Sequence, residues 1–378
     1  MEKLIPAILI GVNTIKESYQ KDIASLEELS LLAETAGFCA VHSILHRRGR
    51  IDPGWYIGAG KARQVRGIVK EFKAEAVLFD FELTPVQLRN LEEVLKCGIM
   101  SRTELILNIF EQRAHTREAK LQVELATLIY SLPRLRHMWP HLNRIEGGIG
   151  MRGPGEKQLE IDKRRLARRI TKIKKDLISV KNHRMVMRKN REGKNRVALV
   201  GYTNAGKSSL LNTLAHSSLF TENKLFATLD PATREVWLGD GEKAMVTDTV
   251  GFIKRLPHTL IASFRSTLEE VKEADILLHV VDITSYDAVE RIVAVKEVLH
   301  EISADNLPVL YVFNKVDLLG SRDVKGSLLS RYQNHVIVSA KTGEGIDLLR
   351  GKLLEFFREL SFQRNGATRL ESRSYMFA

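Results

Sequence analysis

Residues Gly201–Ser208 read GYTNAGKS, and this octapeptide decides how the rest of the chain is read. It fits G-x-x-x-x-G-K-[ST], with the apolar run VALVGY from Val197 before it and a helical pattern, SSLLNTL, after it. A glycine-rich turn from strand to helix lets backbone N–H groups converge on phosphate oxygens. In such a loop Lys207 reaches the β- and γ-phosphates and Ser208 ligates Mg²⁺. Alone, the pattern says only that phosphate binds.

Motifs further along narrow the ligand. NKVD, Asn314–Asp317, ends an apolar strand. A carboxylate at Asp317 can accept from both N1–H and the 2-amino group of guanine, donors that adenine lacks. Asn314 is expected to brace the glycine loop, the Lys315 stem to pack on the base, and SAK (Ser339–Lys341) to offer the Ala340 N–H to guanine O6. DTVGF, Asp248–Phe252, supplies Asp248 to hold Mg²⁺ through water and the Gly251 N–H to sense the γ-phosphate. Between these motifs lies KLFATLDPATR, from Lys224, whose Thr228 is the expected switch threonine completing the Mg²⁺ shell; Thr233, in the same loop, is the runner-up.

The expected guanine-nucleotide site (GTP or GDP) therefore has four parts. The loop gives Gly201, Tyr202, Thr203, Asn204, Ala205, Gly206, Lys207, Ser208 and Ser209. The first switch gives Phe226, Ala227, Thr228, Leu229 and Asp230, and the second gives Asp248, Thr249, Val250 and Gly251. The base is met by Asn314, Lys315, Val316, Asp317, Ser339, Ala340 and Lys341. Ser208, Thr228 and, through water, Asp248 form the Mg²⁺ set; Lys207, Thr228, Gly251 and Asn204 are the catalytic candidates. Four motifs in this order imply a GTPase.

Phe252 stands where GTPases that act alone often carry a glutamine that positions water. Two replacements are open. Asn204 resembles the asparagine with which several translation-factor-class GTPases hold K⁺ beside the phosphates, where a cation neutralises transition-state charge. The other is a partner that orders the switches.

With 378 residues the chain has room for two or three domains. It is 44% hydrophobic, but no run of eighteen apolar residues occurs, which argues against a membrane span. The N-terminal MEKLIPAILIGVNTIKES holds a short apolar run that reads as a first strand and no small-residue cleavage site. Cys39 and Cys97 form no metal or redox motif. These features lead to the expectation of a cytoplasmic monomer without stable membrane insertion, at most peripheral at a membrane surface.

The net charge of +12 points to an anionic partner, and it is concentrated. Residues 1–110 alternate strand-like runs (AILIGV, FCAVHSIL, AVLFDF) with helical ones, which predicts a small parallel α/β lobe. From Leu121 the leucines recur at 125, 128, 132 and 135, a heptad seam that Pro133 should kink or end. A second seam runs through Leu159, Leu166, Ile170, Ile173, Leu177 and Val180. Together they predict an antiparallel helical hairpin over 111–192. Its second helix carries most of the excess of Lys and Arg, including Arg164, Arg165, Arg168 and Arg169, and the loop between the helices is EGGIGMRGPGE. REGKNR, around Gly193, reads as the hinge into a second α/β domain over 193–360. A helix from Ile346 to about Leu360 is expected to close that domain, leaving a polar tail over 361–378.

GGIGMRGPGEKQLEIDKRR, GYTNAGKSSL, FATLDPATR, DTVGFIKRLPHTL, NKVD and SAK, in this order, resemble the HflX family of bacterial ribosome-associated GTPases. YIGAGK (from Tyr56) and SRTELILNIFEQRA (from Ser101) extend the resemblance over nearly the whole chain. The resemblance implies an α/β lobe and long helical hairpin joined to a Ras-like P-loop domain. It implies binding to the large ribosomal subunit and its rRNA, and splitting of stalled ribosomes in the GTP state. The glycine-rich loop would approach the peptidyl transferase centre through Gly147, Gly148, Gly150, Arg152, Gly153, Pro154 and Gly155, with the basic helix neutralising phosphates. Two departures stand out: Ser101 where an Asp is expected, and a short tail where some relatives carry a further domain. The family's link to ATP binding would fall on YIGAGK, a pattern much weaker than a P-loop. A large-subunit assembly GTPase, or an RNA-binding protein that GTP merely controls, are the competing readings.

Overall fold

A computed structural model of the chain describes residues 4–13, 19–138, 154–188, 194–215, 225–226, 228–254, 265–319 and 326–374. The chain forms two compact units, one built mainly on the residues up to His183 and the other mainly on those from Arg184 onward.

The first unit is a four-stranded, wholly parallel sheet. Its strands are β1 (Ile5–Asn13), β2 (Phe38–Arg47), β3 (Ala76–Phe79) and β4 (Gly98–Ser101), in the order β2-β1-β3-β4. The helices α1 (Tyr19–Thr35), α2 (Ala59–Glu71) and α3 (Pro85–Leu95) provide the crossovers. β1 is buried from Ala7 onward because its apolar run has neighbours on both sides and helices over its faces. β4 has no distinct signature in the sequence, since GIMS is only four residues long.

Local chemistry fixes where the helices start. Thr84 and Gln87 form a reciprocal capping box at α3, with Pro85 in the first turn. Ser101 and Glu104 do the same for α4 (Arg102–Arg113). Ser101 thus fills the capping role open equally to the expected Asp, which accounts for that departure. In YIGAGK, Gly58 is required by close approach: at φ 85°, a Cβ there would lie 2.2 Å from the Arg48 guanidinium. Arg48 also donates to the Ile57 carbonyl at 2.8 Å.

α5 (Arg117–Met138) continues through Pro133 rather than ending there. The proline removes one backbone donor, and packing of α5 on α3 and α4 holds the helix across that gap. Leu125 is buried while Leu121, Leu128 and Leu132 are half-buried. α6 (Pro154–Arg188) buries Ile173 completely. Arg169 joins it to α5 through a two-pronged pair with Glu124, at 2.5 and 2.7 Å. Glu124 lies 14 residues before the end of α5 and Arg169 15 residues after the start of α6. At about 1.5 Å rise per residue both sit equally far from the connecting loop, so the helices fold back as a hairpin.

The second unit has six strands: β5 (Asn195–Gly201), β6 (Ala232–Gly239), β7 (Glu242–Asp248), β8 (Ile276–Asp282), β9 (Val309–Asn314) and β10 (His335–Ile337). Their order is β10-β9-β8-β5-β7-β6, parallel except for the β6–β7 hairpin, whose turn residues Asp240 and Gly241 both take positive φ. α7 (Lys207–Ala215), α8 (Arg265–Lys272), α9 (Ala288–Glu301), α10 (Gly326–Leu329) and α11 (Ile346–Ser374) complete it. Val197, Leu199, Leu278, Val280, Val312 and Leu353 are among the residues of its core. α11 runs well past Leu360, in place of the expected tail; no proline interrupts SFQRNGATRLESRS, and the helix continues through Asn365 and Gly366.

Candidate nucleotide site

β5 has β7 on one side and β8 on the other, so the connections leaving it diverge at its carboxyl end. Ligands of open α/β sheets bind in such a crevice. The glycine loop fills it, turning through positive φ at Asn204 and Gly206. Gly206 has to be glycine, since a Cβ there would stand 2.2 Å from Asn314 Nδ2.

Lys207 begins α7 fully buried, and its Nζ donates to the carbonyls of Gly201 (3.1 Å) and Tyr202 (3.0 Å). Burial pushes its pKa down to about 8, with the Asp248 charge opposing the shift. Thr203 presents a buried hydroxyl with no hydrogen-bond partner among the described residues.

Ser208, Thr228 and Asp248, far apart in sequence, meet at one point. Ser208 Oγ donates to Asp248 Oδ2 at 2.6 Å, Thr228 Oγ1 to the same oxygen at 2.8 Å, and the two hydroxyls lie 2.7 Å apart. Burial raises the Asp248 pKa, while Lys207, Ser208 and Thr228 oppose the rise. Among the described residues, Asp248 Oδ1 is buried without a partner. Hard oxygen donors converging beside an orphaned carboxylate oxygen are a donor set that suits Mg²⁺. Thr233 is committed elsewhere, its hydroxyl 3.0 Å from that of Thr247 across the β6–β7 ladder. Around Thr228, Phe226 and Leu229 are buried and Asp230 half-buried; Ala227 lies outside the described residues.

The second switch runs beside the loop. Thr249 is buried and donates to the Leu199 carbonyl, and Val250 is buried. A Cβ at Gly251 would meet Thr203 Cα at 2.9 Å and Lys207 Nζ at 3.0 Å. Phe252 pairs with the loop through its backbone, with Thr203 N–H donating to its carbonyl (2.7 Å) and its N–H to the Gly201 carbonyl (3.1 Å). Its ring is buried.

An open cleft of about 440 Å³ continues from the loop; Asn204, Ser209, Lys315, Asp317 and Lys341 are among its lining residues. Asn314 Nδ2 donates to the Ala205 carbonyl at 2.9 Å. The Ala340 N–H, expected to await guanine O6, instead donates to Asn314 Oδ1 at 2.9 Å. Sequence reasoning misses three supports of this wall. Ser339 Oγ donates to Asp317 Oδ1 (2.6 Å), Lys315 pairs with Asp282 (2.7 Å), and Val316 N–H reaches the Val338 carbonyl (3.3 Å). Each joins segments at the ends of different strands, so no local spacing announces it.

On α6, Arg164, Arg165 and Arg168 are exposed; Arg164 pairs with Glu160 and Arg165 sits 3.9 Å from Asp162. Arg169, expected on RNA, is held by Glu124 as a strut of the hairpin. Gly147, Gly148, Gly150, Arg152 and Gly153 lie outside the described residues, and Gly155 falls within α6. Among the described residues no helix is long and apolar enough to cross a membrane.

Three protein families match in succession: GTP-binding GTPase N-terminal over residues 23–111, GTP-binding GTPase Middle Region over 113–191, and 50S ribosome-binding GTPase over 196–315. A GTPase HflX of Lacrimispora saccharolytica is 45% identical over 374 residues, covering 96% of this chain and 87% of the relative. The GTPase HflX of Escherichia coli is 44% identical over 338 residues, covering 89% and 79%. Among solved structures, the SsGBP–GDP complex aligns with a TM-score of 0.52 at 26% identity, over 95% of this chain and 100% of that one. The glycine loop, the Ser208–Thr228–Asp248 cluster and the cleft lined by Asn204, Asp317 and Lys341 accord with these matches, and the chain belongs to the HflX family of GTPases, enzymes that bind guanine nucleotide and hydrolyse GTP.

Proposed function

We propose that this GTPase docks on the large ribosomal subunit, splits stalled ribosomes in its GTP state, and hydrolyses GTP when the ribosome orders its switches. The observation that carries the reading is a basic helical hairpin, with Arg164, Arg165 and Arg168 exposed, in the same chain as a guanine-nucleotide switch. The family match to a 50S ribosome-binding GTPase supports it. In this reading residues 1–110 form the α/β lobe, 111–192 the RNA-facing hairpin and 193–360 the GTPase domain, whose last helix continues to Ser374. Exposed guanidinium groups on a long helix suit recognition of RNA through phosphate and shape.

The chemistry follows from the cleft. Asp317, its Oδ1 held by Ser339, turns its other oxygen to the guanine edge. The phosphates draw Lys207 Nζ away from the Gly201 and Tyr202 carbonyls. A Mg²⁺ ion held by Ser208, Thr228 and, through water, Asp248 would neutralise charge between the β- and γ-phosphates. Gly251, pressed against Lys207, reads the third phosphate through its N–H. The buried Phe252 offers no hydrogen bond to water, so positioning falls to the ribosome, to a K⁺ ion at exposed Asn204, or to both.

Sedimentation of 70S particles with the protein tests this. Splitting with GTP and with a non-hydrolysable analogue is expected, together with ribosome-stimulated phosphate release. Intact 70S particles under both conditions would refute it, and accumulation of subunit precursors on depletion would favour the assembly reading. Equal rates in Na⁺ and K⁺ buffers would remove the role of Asn204.

A further inference from the structure

Residues Gly251–Lys254 leave β7 alongside the glycine loop, where a ring of four side chains meets them. Tyr202, second residue of the loop, accepts the Lys254 N–H on its phenol oxygen at 2.7 Å. The Lys254 ammonium pairs with Asp287 at 2.6 Å. Asp287 also pairs with Arg291, at 2.7 Å, and accepts from Ser285 Oγ at 2.6 Å. Arg291 closes the ring by placing its guanidinium over the Tyr202 aromatic face, 4.8 Å from the centroid. Asp287, at the N-cap of α9, is the hub and is buried.

Two backbone hydrogen bonds fasten Phe252 to the loop, and they form an isolated bridge beyond the end of the β5–β7 ladder. A lone bridge at a strand end frays unless something outside the ladder holds it. The ring does so from α9, through the residue two positions beyond Phe252. Gly251 inherits the constraint, wedged against Thr203 and Lys207 with no room for a Cβ.

We infer that Asp287 is a positioning residue for triphosphate recognition, holding residues 251–254 in register with the glycine loop so that the Gly251 N–H stays where a third phosphate is read. This rests on the reading of Gly251 given above. The bonds described above for the base-reading wall and the Mg²⁺ donor set join residues other than Lys254, Asp287 and Arg291, so substitutions at Lys254 and Asp287 are expected to spare GDP binding. A triphosphate binds a preformed sensor with the ring intact and must order that sensor without it.

Equilibrium binding of GDP and of a non-hydrolysable GTP analogue to the full-length protein, with Asp287→Asn and Lys254→Met beside the native chain, tests the inference. Both variants should weaken the analogue by about fivefold or more, the usual lower range of coupling between sites, and leave GDP within about twofold. Unchanged affinity for the analogue, or an equal loss for both nucleotides, overturns it; the GDP measurement also shows that the variant has folded. Gly251→Ala separates the two layers. If that variant keeps the native preference for the triphosphate, the reading of Gly251 fails. If it loses the preference and the ring variants keep theirs, only the role of Asp287 fails.

Discussion

The two sheets of this chain both gather charged side chains at the carboxyl ends of their parallel strands. In the first unit these groups close on one another. Asp80, just after β3, accepts from Arg102 at 2.7 Å and from Ser25 at 2.5 Å; Arg102 also pairs with Glu28, and Asn13 at the end of β1 bonds to Asp22. In the second unit they face a cleft. Among the described residues, Lys207 donates to two carbonyls, and Asp248 keeps one buried oxygen without a partner. A buried charge is costly unless paired, so the first arrangement is a brace and the second is a cost that a ligand can relieve. The shared architecture says where a site can form, and the pairing of charges says which unit has one.

The sharpest way to break this contrast is Lys207→Ala. Phosphate release should fall by roughly 10³-fold, as when a group stabilising transition-state charge is removed, with no loss of stability in urea unfolding. Turnover within about tenfold of the native rate would show that Lys207 does not carry the phosphates. The mirror experiment is Arg102→Met, which strands Asp80 without its cation. It should destabilise the first unit by about 3–5 kcal/mol in urea unfolding while GDP affinity of the folded protein holds. A cost below about 1 kcal/mol would mean that the brace is not one.

A pH titration sharpens the comparison further. The folded, nucleotide-free protein gives up the Lys207 proton near pH 8, whereas a solvated lysine keeps it to about 10.4. Its contribution to the stability of the nucleotide-free protein therefore rises with pH across that window. Phosphates favour the ammonium, so binding above pH 8 takes up a proton, and affinity should drop roughly tenfold per pH unit. Calorimetry in two buffers of different ionisation enthalpy would detect the uptake, and a pH-independent affinity from 7 to 10 would contradict it. The smallest effect belongs to the hairpin surface. Arg168→Ala should leave the melting temperature unchanged and reduce the salt slope of ribosome binding by about 1. An unaltered slope would take Arg168 off the RNA.

Much of the nucleotide site is legible in the sequence because its parts are local. A glycine loop between strand and helix, or an Asn and an Asp three residues apart after a strand, owe their geometry to backbone that the sequence specifies within a few residues. Thr228 and Thr233 are not separable in that way. They share one loop, and only the fold brings Thr228 to Asp248 while assigning Thr233 to the ladder with Thr247. The bond made by the Ala340 amide escapes sequence reasoning for a related reason: its partner Asn314 arrives from the neighbouring strand.

From the sequence alone came the α/β class, the basic hairpin, the guanine site and the family, since each is encoded by periodicity or short-range spacing. The tertiary structure decided which charges are partnered. It pairs Arg102 with Asp80, gives Arg169 to Glu124, and closes the Asp287 ring on the second switch. Apart from the Asp287–Arg291 pair, these contacts join residues more than twenty positions apart, and they are set by sheet order and helix packing, quantities that no local pattern carries.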